Sequence, residues 1–416
     1  MTSQPTLISD LDLYHLAWET RDFSADPYTE LEAARAQHPW LATVTGGYAV
    51  HDLAAIRDLL IQDDKLRTSF DGIVDIMNAK GTAWGRFAEE QMIAMPDREH
   101  AVLRGAFAAK FTPRYANQLR PIMRATMEDL LTEWAPKRRI DFEEFASYYP
   151  VAVMTRMIGA SLEDIPALRS AMETLGLAFS QDSSLLPKLD EAMAQFDDFA
   201  IRLIRRRQAN PRPDDEPDLL DILIEAGDTG GITERQLVDM LIFLFVAGYD
   251  TSKNVLTYTM NTLLDHPDVY LRCAEDLEYC GKVVEEALRM FTPASTFRAT
   301  KEDIVYRNVL IPKDTLVFFL INVAARVSAD IDNPHSFDPD RVNDPKLRHV
   351  GFGLGRHMCL GQYIARTQLQ EGLHLIAQRL RHPRKAGQPG WRPFPGNWGI
   401  DGLPIEFEPA ETEAAL

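Results

Sequence analysis

The chain has 416 residues, 45% of them hydrophobic, enough for a large core and, by length alone, for two or three domains, although large single-core enzymes reach the same size. Its 44 Lys and Arg against 62 Asp and Glu leave a net charge of −18, which argues against nucleic acid and anionic membrane surfaces as partners. The three cysteines, Cys273, Cys280 and Cys359, are too few and too irregularly spaced for a disulfide framework and point to a reducing cytoplasm.

The first six residues carry neither a basic region nor an apolar core, so no signal peptide or anchor is expected. The longest strongly apolar run, residues 241–247, is far short of the ~20 that cross a bilayer, and a soluble chain is expected. A helical pattern covers residues 28–35, a strand pair is expected at 41–44 and 48–50 around a Thr-Gly-Gly turn, and a second helix at 52–62. Between residues 69 and 94, Phe70, Ile73, Trp84, Phe87 and Ile93 are scattered among Gly72, Gly81 and Gly85, which reads as a long, partly ordered loop.

A helix beginning near Pro96 places His100 and Arg104 on one face, one turn apart. Two cationic donors there suit an anion; a solvated face, or a local pair with Glu99, is the alternative. Residues 116–208 read as mostly helical, interrupted by the polar stretch 180–184 and by Pro187, and 208–217 reads as an exposed connector rather than a domain boundary.

Residues 233–265 read as a long central helix, opened by a Thr233/Gln236 capping box and ended by His266 and Pro267. At ~1.5 Å per residue it spans about 50 Å. Its middle, 241–247, is apolar nearly all round and therefore buried. Gly248, Tyr249, Asp250 and Thr251 follow at once. A buried acid and alcohol must be hydrogen-bonded. Thr251 either bonds back to the preceding turn and kinks the helix, or works with Asp250 to move protons.

Further on, Glu286 and Arg289 face each other at i, i+3. Strands are expected at 305–306, 309–312 and 315–320, with a tight turn at 312–314. Residues 351–361 then pack four glycines, His357 and Cys359 into eleven residues, and an apolar helical run follows. Cys359 thus sits where a glycine-rich loop becomes a helix. A helix N-terminus stabilises a thiolate, and glycines let a flat ligand approach the backbone. A buried, inert cysteine is the plainer alternative.

Phe352, Gly353, Gly355, His357, Cys359 and Gly361 fit every fixed position of a pattern that resembles the haem-binding loop of the cytochromes P450. The stretch Ala247-Gly248-Tyr249-Asp250-Thr251, the Glu286/Arg289 pair with Arg341, and the His100/Arg104 pair resemble further motifs of that family, in family order over nearly the whole chain. The resemblance implies a cytochrome P450 fold, mainly α with a smaller β-sheet region, in a single haem domain over residues 1–416. It implies haem b with the Cys359 thiolate on the iron, and His100, Arg104, Arg298 and His357 on the propionates. Asp250 and Thr251 would deliver protons during dioxygen activation, with Gly248 leaving room beside the haem. Glu286, Arg289 and Arg341 would hold the cysteine loop. Residues 69–94 would cap the substrate pocket, and 176–189 would form a lid.

The implied pocket residues are Phe87, Met92, Phe179, Phe243, Val246, Ala247, Phe297 and Trp398, with residues 294–296 at its border and the tail 391–400 at its far end. Their apolar and aromatic character suits a small terpenoid or aromatic substrate. The implied reaction is monooxygenation: O2-dependent hydroxylation, or oxidative demethylation of a methoxy group. Electrons are expected from a ferredoxin and its flavin reductase rather than from a fused reductase. The ferredoxin would dock on a basic patch of Lys110, Arg114, Arg356 and Arg366. A peroxide-driven haem-thiolate enzyme and a non-enzymatic haem sensor or electron carrier are the alternatives, and the intact Asp250/Thr251 pair weighs against both.

Overall fold

The computed structural model describes residues 4–212, 218–229, 231–341 and 348–410. Its axis is the helix Glu234–Leu263, opened by the capping box in which Gln236 N–H donates to Thr233 Oγ1 at 3.2 Å and Thr233 N–H to Gln236 Oε1 at 2.9 Å. Buried residues run along most of its length, because Phe142–Met157 packs on one side and Leu186–Ala209 on another. The second framework element, Gln362–Arg379, follows the cysteine loop and packs against Arg120–Trp134, Pro267–Glu275 and Leu277–Met290. Among the described residues, no helix is long and apolar enough to cross a membrane.

The strands form several small sheets. The largest has the order Leu41–Val44, Gly47–Val50, Leu316–Phe319, Thr296–Thr300, Leu66–Arg67. The hairpin expected at 41–50 is its outer edge, paired Leu41 to Val50. Leu316–Phe319 lies parallel to Gly47–Val50 and antiparallel to Thr296–Thr300, placing Arg298 opposite Val317. The strand Thr296–Thr300 lies outside the sequence-based expectation; its Arg298 interrupts the apolar pattern. The sheet Leu380–Lys385, Pro404–Pro409, Arg139–Asp141 is likewise unforeseen, because its first strand reads Leu-Arg-His-Pro-Arg-Lys, charged and carrying a proline.

Residues 69–94 do not form the expected loop. They fold into helices Phe70–Ile76 and Ala83–Glu90 and the turn Met92–Ala94. Thr82 caps the second helix by accepting from Gly85 N–H at 3.0 Å, and Trp84, Phe87 and Ala88 make its buried face. Gly85 is a packing glycine: a Cβ there would lie 2.1 Å from the Ala79 carbonyl oxygen. Gly81, at φ +79°, supplies the turn before the helix. Near residue 180 the chain leaves Ile165–Leu175, passes a turn at Ser183–Leu185, and enters Leu186–Ala209 with Pro187 in its first turn. Of the connector at 208–217, residues 208–209 are helical and 213–217 lie outside the described residues.

Glu286 and Arg289 pair through two 2.8 Å hydrogen bonds, both side chains almost fully buried. Glu286 also accepts from Arg341 Nε at 3.4 Å and from Asp338 N–H at 3.0 Å, while Arg289 donates to the carbonyls of Pro334 and Ser336. The cluster ties Leu277–Met290 to the segment 334–341, which precedes the cysteine loop.

Candidate active site

The cysteine loop is folded by its own backbone. Gly353 N–H donates to Val350 O at 2.7 Å and Cys359 N–H to Phe352 O at 2.8 Å. Gly353 and Gly355 sit at φ +70° and +69°, a region that disfavours any side chain; a Cβ on Gly355 would also come within 2.8 Å of the Asp63 carboxylate. The loop delivers Cys359 just before Gln362–Arg379, with Gly361 as N-cap. Burial pushes the Cys359 thiol up, while the N–H groups of Gly361 and Gln362 and the charges of Arg104 and Arg366 pull it down. The thiol is exposed only in the sense that it opens onto a cavity. Arg104 braces the loop, donating to Met358 O at 2.6 Å.

That cavity, of about 320 Å³, falls in the size range of small-molecule sites. Cys359 and His357 line it from the loop, Phe243, Ala247, Gly248 and Thr251 from the central helix, and Thr296 and Arg298 from the sheet. Most of the remaining wall is apolar, including Ile93, Met154, Val255 and Leu369.

One part of the wall carries a buried guanidinium beside two neutral imidazoles. Arg298 is buried, donates among the described residues to Thr296 Oγ1 and Phe297 O, and burial lowers its pKa to about 10. The rings of His357 and His100 lie with centroids 4.3 Å apart, tilted by 32°. Burial, then Arg298 and His100, push His357 down to about 3; burial, then Arg104 and Arg356, lower His100. Both ring nitrogens of His100, and Nδ1 of His357, are buried without a hydrogen-bond partner among the described residues. Buried polar groups left this way are rare and costly. His100, Arg104, Arg298 and His357 are therefore brought together, at the edge of the cavity and beside the cysteine loop.

Asp250 and Thr251 diverge, because successive residues on a helix point about 100° apart. Thr251 faces the cavity and donates back to Ala247 O at 2.8 Å. Asp250, 1% exposed, turns away from it and is gripped by Arg392 through bonds of 2.9 and 3.1 Å and by Lys253 at 3.1 Å. Lys253 in turn meets Glu143 at 2.6 Å. Gly176 packs so tightly on Asp250 that a Cβ would overlap the carboxylate. Lys253 lay within sight of the sequence reading, one turn beyond Asp250. Arg392, 142 residues away, carried no local signal.

Of the expected pocket residues, Phe243 and Ala247 line the cavity. Phe87 shares the core face of its helix with Trp84, and in the turn Met92–Ala94 it is Ile93 rather than Met92 that faces the cavity. Phe179 and Phe297 join Phe70 in an aromatic cluster with centroids 5.0–6.4 Å apart, and Val246 packs on the core. Trp398 belongs to another aromatic group, with Phe291, Trp391 and Phe394, and its indole N–H donates to Ser24 O at 2.9 Å. Among the basic residues near the loop, Arg366 is held by Glu285 at 2.5 Å and Arg356 by Asp97 at 2.5 Å. Burial pushes Glu285 up, but hydrogen bonds from His349 and Arg366 more than offset it and hold the carboxyl at about 2. Lys110 lies over the Tyr115 ring, and Arg114 is exposed.

Cys359, just ahead of a helix start, thus opens onto an apolar cavity edged by a buried arginine and a close pair of histidines. The chain belongs to the cytochrome P450 family, whose model matches residues 74–400, and it is a cytochrome P450 monooxygenase with a haem cofactor. Luteothin monooxygenase of Streptomyces thioluteus is 31% identical over 98% of this chain and 99% of its own length. The biotin biosynthesis cytochrome P450 of Bacillus subtilis is 27% identical over 93% and 98%. The solved structure of P450BioI with an acyl carrier protein ligated to hexadec-9Z-enoic acid superposes with a TM-score of 0.83 at 25% identity, covering 93% of this chain and all of that one. The myxobacterial CYP267B1 in complex with myristic acid gives 0.82 at 26% identity, over 93% and 98%. The fold is thus the mainly α cytochrome P450 fold.

Proposed function

We propose that the cavity holds haem b with Cys359 as axial thiolate, in one haem domain of a cytoplasmic enzyme that hydroxylates or oxidatively demethylates a small hydrophobic substrate, terpenoid or aromatic. The observation that carries the reading is Cys359, set at a helix start and opening onto an apolar cavity beside the buried Arg298 guanidinium and buried histidine nitrogens with no hydrogen-bond partner among the described residues. Two propionate carboxylates would supply what Arg298, His357 and His100 lack: acceptors for unpartnered donors and negative charge for a buried guanidinium. Arg104, already bonded to Met358, would hold the loop and face the same carboxylates.

Haem, when bound, supplies dioxygen activation and oxygen insertion into a C–H bond. The protein's share is positioning, water exclusion and proton supply. The N–H groups of Gly361 and Gln362 would favour the thiolate form, against the burial that raises the thiol overall. Phe243, Ala247 and Val255 keep the cavity wall apolar, and Gly248 keeps the helix close. Thr251 spends its own proton on Ala247 O, so its oxygen is left as an acceptor that can hold a water in the cavity. Asp250 supplies protons to that hydroxyl on rotating off Arg392.

Thr251→Ala should therefore keep haem and substrate binding, while product per reductant consumed falls by ~10-fold or more and peroxide rises. Product and peroxide assays on the same reaction decide it, and tight coupling in the variant would remove Thr251 from proton delivery. Electrons would come from a ferredoxin with its flavin reductase. With Arg366 and Arg356 held in internal ion pairs, the exposed Arg114 is the better docking candidate. Arg114→Glu is expected to slow electron transfer at low salt and flatten its ionic-strength dependence, whereas an unchanged salt slope would place docking elsewhere. The fatty acyl groups in two of the related structures fit the same preference for hydrophobic substrates. A spin-shift screen over terpenoids, aromatics and fatty acids, followed by turnover with NAD(P)H and a ferredoxin system, tests the whole reading. Turnover with peroxide alone would favour the peroxygenase, and no turnover with either the sensor or carrier.

A further inference from the structure

We infer that a second cavity binds a small aromatic carboxylate, with Arg326 as its anion receptor and tyrosine and tryptophan rings as its walls. This cavity, of about 380 Å³, lies where the start of the helix Pro27–Gln37, the end of the central helix, the segment 326–337 and the tail 391–398 meet. It shares no lining residue with the cavity onto which Cys359 opens. Its size is that of a small-molecule site.

A cation without a counter-ion carries the inference. Arg207, Arg235, Arg289 and Arg392 each grip a carboxylate. Arg326, half-buried in the cavity wall, pairs with no carboxylate among the described residues. Its Nη1 donates to Tyr258 OH at 3.2 Å, its guanidinium lies 4.1 Å from the centre of the Tyr28 ring, and its Nε is buried without a partner among the described residues. Two carboxylates also line the cavity, and both are committed elsewhere. Asp26 caps Pro27–Gln37, accepting from Tyr28 N–H at 3.1 Å and from Thr29 Oγ1 at 2.8 Å. Asp265 pairs with Lys385 at 2.6 Å. A guanidinium taken partly out of water is stabilised by an anion set against it, and a ligand carboxylate matches its planar fork. Burial, then the charge of Arg326, lower His335, which stands at the same cavity as a neutral imidazole at pH 7.

The rest of the wall selects the body of the ligand. Tyr28, Tyr258 and Phe337 present rings, and Trp391 and Trp398 stack on each other with centroids 5.3 Å apart at 22°. Such faces take another flat ring. Asp26 and Asp265, both exposed at the rim, repel a second negative charge. A carboxylate monoanion therefore suits the site better than a phosphate dianion.

The test is calorimetric titration of the haem-loaded protein with 2-naphthoate and with 2-naphthylmethanol, which keeps the rings and drops the charge. The acid should bind at one site with a Kd of about 1 mM or tighter, and the alcohol at least ~10-fold more weakly. Arg326→Gln should weaken the acid by ~10-fold or more and leave the alcohol within about twofold. Arg326→Lys keeps the charge but not the planar fork. It should weaken the acid by about threefold, and it decides the question if Arg326→Gln does not fold. Equal affinities for acid and alcohol in the native protein, or native affinity for the acid in the arginine variants, would overturn the inference.

Discussion

Cys359→Ser is expected to lower turnover by more than ~10³-fold, because a serine hydroxyl is not a thiolate at any working pH and donates far less electron density to iron. The N–H groups of Gly361 and Gln362 and the charges of Arg104 and Arg366 lower the thiol against its burial. The variant should still fold, since the loop is held by backbone bonds from Gly353 and Cys359 N–H and by Arg104 on Met358 O, none of which uses the sulfur. The check is product formation at equal haem loading, with thermal unfolding run beside it. Native-like turnover in the variant would mean that the sulfur is not part of the reacting centre.

Glu286→Ala is expected to cost about 3–5 kcal/mol of folding stability, the usual penalty for removing one partner of a buried ion pair. Glu286 accepts from Arg289, Arg341 and the Asp338 backbone at once, so alanine strands three donors and leaves the Arg289 guanidinium with backbone carbonyls alone. Against a total of ~5–15 kcal/mol for a folded domain, that loss is enough to empty the cysteine loop's support and prevent haem loading in much of the protein. Urea denaturation, read by circular dichroism, measures it. A midpoint within error of the native one would show that the cluster is dispensable. Glu286→Gln should fall between the two, keeping hydrogen bonds but not charge.

What was legible in the sequence was local. The Thr233/Gln236 box, the Glu286/Arg289 pair and the cysteine loop each lie within a few turns or a short loop, where spacing translates directly into contact. Less legible was anything that depends on where distant segments meet. Asp250 and Thr251 read as a pair, yet helix geometry points only Thr251 into the cavity, and the partner that holds Asp250 comes from residue 392. Glycines at 72, 81 and 85 suggested a loop, although Gly85 lies inside a helix because Ala79 packs against it. Trp398 and Phe87 were expected at the substrate from the family resemblance of their segments, and both are large and apolar. The same property also places them in the core, and only the direction each helix or turn faces separates the two outcomes.

The account stands on sulfur from residue 359 bonded to haem iron. The most direct measurement is the absorption spectrum of the purified native protein, reduced under carbon monoxide. Thiolate ligation predicts the strongly red-shifted Soret band of a haem-thiolate carbonyl complex. A Soret band at the position typical of histidine ligation, or a protein that stays colourless after haem supplementation, would contradict it.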